Sequence, residues 1–388
     1  MDARLPLCAC LVLSFLSLTW AIPCARAADA DSTAESSPEV GRIEIHGYGD
    51  FQYSNPKLET MSRGASNEID VHGFELGWEY GFTPVLHMEA EVDFEHAATD
   101  IELEEAMLEY DLSPSLSLRL GSLLMPVGPT NEAHDPPLYH SVQRPYVEQI
   151  VIPTTWQEGG VGLAGHSAGR RLEYRAYVTA GLDATGFRSL DGIGGGRTHA
   201  AESRADDLAG VVRFIGSPAE GVSLGASGYY GGADQRAPGL GQVRVALVDV
   251  DARCHRGGAD LRGVLAWTGV DGAERVSRLV GETVGRQMLG WYLEAAYDLL
   301  GHGRGGRTGD AGREGRALYV LARCERVDTN LQAPSGLVVN PAADRRILTS
   351  GISYYPVGTI AFKADLEHWR DQSGATLDRV NLGAAFMF

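Results

Sequence analysis

Between residues 75 and 109 the chain sets Glu75, Glu79, Glu89, Glu91, Asp93, Glu105 and Glu109 among apolar residues at even spacings, so an extended backbone would carry them on one face. Carboxylates two apart on such a face, as in Glu89 and Glu91, suit the attraction of cations. Acid–base chemistry instead needs a pair whose environments hold their protons differently. Arg119, Arg175, Arg213, Arg253 and Arg262 form a basic counterpart further along. The glycine run 192–197 ends on arginine, without the Gly-Lys-Ser/Thr ending of a phosphate cradle, and is read as a loop tip. His134, Asp135 and His140 would hold a metal ion only if their loop folded them together, so no metal, cofactor or catalytic residue is assigned. The expectation is a protein that is not an enzyme.

The segments that carry these charges have a period of two. In 85–95, Leu86, Met88, Ala90, Val92 and Phe94 oppose His87, Glu89, Glu91, Asp93 and Glu95. The same split recurs over 171–181 and 358–370, and no helical period is sustained over comparable length. Sixteen such segments run from 42–53 to 377–388, each about ten residues long, the length a tilted strand needs to cross a bilayer. Aromatic residues such as Trp78, Tyr80, Trp267, Tyr297 and Tyr354 fall near strand ends on the apolar face, where interfacial girdles form.

Composition limits what such a chain can be. Its 388 residues are 44% hydrophobic and 22% charged, too apolar for disorder, and a net charge of −18 excludes nucleic acid as a partner. Beyond the N-terminus no window approaches the ~18 apolar residues of a helical membrane span. Residues 1–27 read as a signal peptide, with Arg4, an apolar stretch and Ala25-Arg26-Ala27 at the cleavage site, and 28–41 read as a mobile periplasmic leader. Export removes three of the five cysteines and leaves Cys254 and Cys324, too few for a disulfide scaffold.

The connections are alternately short and long. Phe82-Thr83-Pro84, Ser113-Pro114, Ser217-Pro218, Arg256-Gly257 and Tyr355-Pro356-Val357 read as short turns, whereas 54–67, 125–157, 182–206, 231–242, 269–287 and 329–344 are long. Outer-membrane barrels alternate their connections in this way. The Gly/Arg-rich connection 301–314 breaks the rule. The expected fold is therefore an all-β transmembrane antiparallel barrel of about sixteen strands over 42–388, with both termini periplasmic. The third external loop, after 54–67 and the modest 96–102, is rich in proline and is placed to fold inward as a constriction near 125–157, bringing Glu132, His134, Asp135, Arg144 and Glu148 toward the lumen.

Leu120-Gly121, Met125-Pro126-Val127-Gly128-Pro129, Arg144-Pro145 and Pro153-Thr154-Thr155-Trp156-Gln157-Glu158-Gly159-Gly160-Val161-Gly162-Leu163 together resemble the phosphate-selective porin O and P family of Gram-negative outer membranes. The resemblance implies a sixteen-stranded homotrimeric porin whose third loop lines the constriction. Members that carry phosphate line the lumen with a lysine cluster and an arginine ladder. This chain has two lysines, Lys57 and Lys363, so the lysine half of that device is missing. The chain stops on Phe388 inside an alternating strand, which resembles the signal read by the barrel assembly machinery.

By alternation, inward carboxylates outnumber inward bases by roughly two to one. An acidic wall on strands two to four would then face an arginine stripe on strands five to eleven, with a negative mean potential between them. The functional expectation is a water-filled outer-membrane channel for small hydrophilic solutes and ions, weakly selective with modest cation preference. An anion- or phosphate-selective porin is the alternative, ahead of a barrel enzyme or a non-channel surface protein.

Overall fold

A computed structural model describes residues 39–55, 67–301 and 315–388. The expected signal segment, most of the leader, Lys57 and nearly all of the 301–314 connection lie outside the described residues. Sixteen strands close into one antiparallel barrel in which every strand pairs with its sequence neighbours and the first pairs with the last. They are β1 (Ile43–Asn55), β2 (Glu68–Thr83), β3 (Leu86–Glu95), β4 (Asp100–Ser113), β5 (Leu116–Leu124), β6 (Gln157–His166), β7 (Leu172–Ala180) and β8 (Leu208–Ala219). Then follow β9 (Val222–Gly232), β10 (Arg244–Arg256), β11 (Ala259–Asp271), β12 (Gln287–Asp298), β13 (Ala317–Gln332), β14 (Asp344–Val357), β15 (Ile360–Asp371) and β16 (Thr376–Met387).

Closure leaves no unpaired strand edge, which is the condition for placing a sheet in hydrocarbon. The outward residues meet that condition chemically: Ile45, Leu120, Phe214 and Leu366 are all more than half exposed. Such a surface is unstable in water and suited to lipid. Among the described residues no helix is long and apolar enough to cross a membrane.

Two of the proline turns lie two to three residues later than expected. β8 continues through Ser217 and Pro218 to Ala219, and β14 continues through Pro356 to Val357. In both places the register slips, between Gly216 and Ala219 and between Tyr354 and Val357. A proline is tolerated at such an irregularity because its missing N–H is not needed by the ladder. Chain order also begins before residue 42: Val40 bridges Gly81 and the Gly41 amide donates to the Gly81 carbonyl.

Candidate pore and constriction

The segment between β5 and β6 crosses the barrel interior and is bonded to the far wall. Lys363 donates to the carbonyls of Pro136 (2.5 Å) and Ser141 (2.9 Å), and the Asp365 carboxylate accepts from the Val142 amide (2.6 Å). Tyr146 donates to Glu367 (3.1 Å) and accepts from Arg379 (2.7 Å). Arg323, fully buried, is held between Glu294 (3.1 Å) and Glu325 (2.7 Å) and donates to Ser141. A single helical turn, α1 (Val147–Ile150), seats Val147 and Val151 against Gly290 of β12, where a Cβ would come within 2.9 Å of both side chains.

Much of the interior on the long-loop half is apolar and filled. Val211, Tyr229, Val245, Leu247, Val264 and Met288 point inward from β8–β12 and are buried against Ile152 and Trp156 of the crossing loop. The connections 182–206 and 231–242 add Phe187, Ile193 and Leu240 to this core, and α2 (Ala273–Val280) adds Val276. Each such side chain contributes ~1.5–3 kcal/mol by leaving water, so this side of the barrel is packed. An interior wet all the way round, as alternation alone implied, is therefore corrected: loops cover one side.

The arginine stripe is also not a free field. Arg119 pairs with Glu109 (2.7 Å), Arg175 with Glu132 of the crossing loop (2.8 Å), and Arg213 with Asp251 (2.8 Å). Arg253 and Arg262 both hold Asp260, each at 2.9 Å. Each base is neutralised on the spot, so a field spanning the lumen from stripe to acidic wall is replaced by local ion pairs.

On β2–β4 the balance is reversed. Five pairs of carboxylates stand directly opposite one another across strands, Glu75 with Asp93, Glu79 with Glu89, Glu91 with Glu105, Asp93 with Glu102, and Glu95 with Asp100. Like charges in this position destabilise a sheet unless something neutralises them. The counterparts here are imidazoles. His46 approaches Glu91 (3.2 Å), His87 approaches Glu109 (3.9 Å), and His134 of the loop lies between Glu104 (2.9 Å) and Glu75 (3.3 Å). Burial disfavours a charged imidazole at His134, but Glu104 and Glu75 outweigh it and hold the group well above its ordinary range.

Glu104 was not on the expected wall. A register shift at Glu91/Val92 turns both Glu104 and Glu105 inward, as a bulge does when two residues oppose one. The doublet Glu104-Glu105, breaking an otherwise strict alternation, is the signal that could have revealed it.

The five loop residues separate. His134, Asp135 and Arg144 face the acidic wall, Glu132 is spent on Arg175, and Glu148 is buried beside Tyr292 of β12 (2.9 Å). His140 pairs with Asp260 of β11 (3.0 Å), so the loop does not bring His134 and His140 together as ligands. Arg144, Asp50, His72, Asp93, Glu104 and His134 line one small cavity between loop and wall. His72 also lines a second cavity of about 210 Å³ with Gln52, Glu68, Asp70, Gln143 and Arg379. Both cavities lie beside the loop, lined by residues of β1 and β2 among others.

The sequence does contain one Gly-x-Ser-x-Gly spacing, Gly165-His166-Ser167-Ala168-Gly169, the pattern of a nucleophile elbow. It forms the short turn between β6 and β7, where Ser167 Oγ accepts from the Leu172 amide (3.1 Å) and the His166 ring meets a carbonyl. The strand–turn–helix that would expose a nucleophile is replaced by a hairpin.

The barrel matches solved porins along nearly its whole length. OmpF of Salmonella typhi, in complex with daunomycin, aligns at a TM-score of 0.58 and 12% identity, covering 89% of this chain and 97% of that one. An anion-selective porin from Comamonas acidovorans aligns at 0.54 and 12%, covering 89% and 99%. The channel DcaP of Acinetobacter baumannii aligns at 0.57 and 11%, covering 89% and 97%. In sequence, an uncharacterized protein of Aquifex aeolicus (strain VF5) is 31% identical over 350 residues, 85% of this chain and 77% of that protein. The chain belongs to the family of that Aquifex protein and has the porin fold. No protein-family model matches it. In this porin-fold chain, then, a proline-rich inner loop divides the interior into a packed, charge-balanced side and an acidic, histidine-bearing side.

Proposed function

We propose that the protein is an outer-membrane channel whose open path follows the acidic wall and prefers cations. The observation that carries this reading is the uneven commitment of charge. Arg119, Arg175, Arg213, Arg253, Arg262, Arg323 and Arg379 are paired with carboxylates, and Lys363 holds loop carbonyls, while β2–β4 keep carboxylates facing carboxylates. A narrow passage beside such a wall concentrates cations, because charge at a constriction is screened less than charge at a wide mouth. Export through residues 1–27, periplasmic termini, homotrimers and delivery by the barrel assembly machinery through Phe388 belong to the same reading.

One observation favours the phosphate-selective alternative. Arg144 enters the cavity at the wall, and its Nη1 is buried with no hydrogen-bond partner. Four carboxylates, Asp50, Asp93, Glu95 and Glu104, line the same space, which is why the cation reading is preferred. The reversal potential of the purified protein in a planar bilayer under a tenfold KCl gradient tests this. A cation-directed sign is expected. An anion-directed sign suppressed by millimolar phosphate would replace the reading with the phosphate one.

A further inference from the structure

The inner carboxylates Glu75 and Glu104 come from different strands, and His134 comes from the loop. Their ligand atoms lie within 4.8 Å of one another and all three residues are buried. The separations are those of a metal's coordination sphere: ligands ~2.0–2.1 Å from a tetrahedral ion stand about 3.3 Å apart, and His134 Nε2 is 3.3 Å from Glu75 and 2.9 Å from Glu104. A second, independent observation points to a ligand. Asp93, 3% exposed, lies opposite Glu75 in register and lines the cavity beside Glu104 and His134, and its Oδ1 has no hydrogen-bond partner. A buried carboxylate oxygen left unpaired costs ~1–3 kcal/mol unless a water or a cation completes it.

We propose that Glu75, Glu104 and His134, with Asp93 beside them, bind a divalent transition-metal ion of the Zn²⁺ class at the constriction. The donor set selects the class: an imidazole favours Zn²⁺-like ions over Mg²⁺ and Ca²⁺, and the carboxylates supply the charge. Next to this site along the wall, His46 of β1 with Glu89 and Glu91 of β3 forms a second cluster whose ligand atoms lie within 4.8 Å of one another. Adjacent stations of this kind let an ion be held and then passed on, as conduction requires. The route, though not the site, rests on the channel reading above.

The test uses the full mature chain folded in detergent, with Zn²⁺ titrated by calorimetry and Co²⁺ as a visible-absorption probe. One tight Zn²⁺ site per chain is expected, weakened at least tenfold in His134→Ala and in the near-isosteric Glu104→Gln, with heat-modifiable gel mobility reporting that each variant is folded. Micromolar Zn²⁺ should reduce the K⁺ current of the native protein and leave that of Glu104→Gln unchanged. Zn²⁺ binding that is absent, or equal in native and variant proteins, overturns the site even if K⁺ current persists. Tight binding that the variants lose, in a protein that passes no current, overturns the channel reading and keeps the site.

Discussion

The imidazole of His46 on β1 lies across Gly77 of β2 and reaches Glu91 on β3, with Nε2 3.2 Å from the carboxylate. A Cβ at position 77 would come within 2.1 Å of that nitrogen, so glycine is what lets one strand's side chain neutralise a carboxylate two strands away. Gly77→Ala should therefore displace His46 and destabilise the barrel by ~1–3 kcal/mol, the usual range for an overpacked site. In a His46→Ala background the same change should cost little. Unfolding midpoints of the four proteins in urea check this, and equal losses in both backgrounds would show that the two residues are not coupled.

Arg323 is one of the buried links between the far wall and the crossing loop. Arg323→Met leaves Glu294 and Glu325 without their cation and removes a donor to Ser141, so a loss of ~3–5 kcal/mol is expected. Released from this anchor, the loop should be cut by protease faster and single-channel conductance should rise. Unchanged conductance in a folded Arg323→Met protein would mean the loop does not limit the path.

Glu148 makes loop docking depend on pH. Burial pushes its carboxyl up to about 8; the hydroxyl of Tyr292 and Arg262 oppose the rise, and Asp249 and Asp251 add to it. Undocked, the group ionises near 4.5, so the docked state holds the extra proton. Stability from this group is fully present below about 4.5 and is lost as pH rises toward 8. Melting temperature should fall across that interval, and Glu148→Gln should flatten the fall. A native protein whose melting ignores pH between 5 and 8.5, or a Gln variant with the native slope, would contradict it.

Orientation can be read on intact cells. Arg204 is exposed on the long-loop rim, whereas Arg170 and Arg256 stand at turns on the opposite rim. Trypsin added outside should cut after Arg204 and spare the other two. Cleavage confined to Arg170 or Arg256 would reverse the assignment of rims.

Periodicity carried the architecture because lipid contact imposes one rule at every second residue of every strand. Leu86, Met88 and Phe94 against Glu89, Glu91 and Asp93 already state which face meets hydrocarbon. Proline spacing likewise marked the crossing loop, which spans 125–156 between β5 and β6. Glu104 escaped because a bulge suspends the period of two at one position. The arginines are legible in the sequence but their partners are not, since Arg175 and Glu132, or Arg213 and Asp251, are neighbours only across loops and strands.

The sequence by itself determined a closed sixteen-stranded barrel and the position of its proline-rich connection, because these follow from local alternation and chain stiffness. Only the tertiary structure decided which charges are spent on one another, which inward residues are buried under loops, and that His134 is delivered to Glu75 and Glu104. Those outcomes depend on the loop's path across the barrel, where residues such as Ser141 and Arg323, 182 positions apart, come into contact through register and packing.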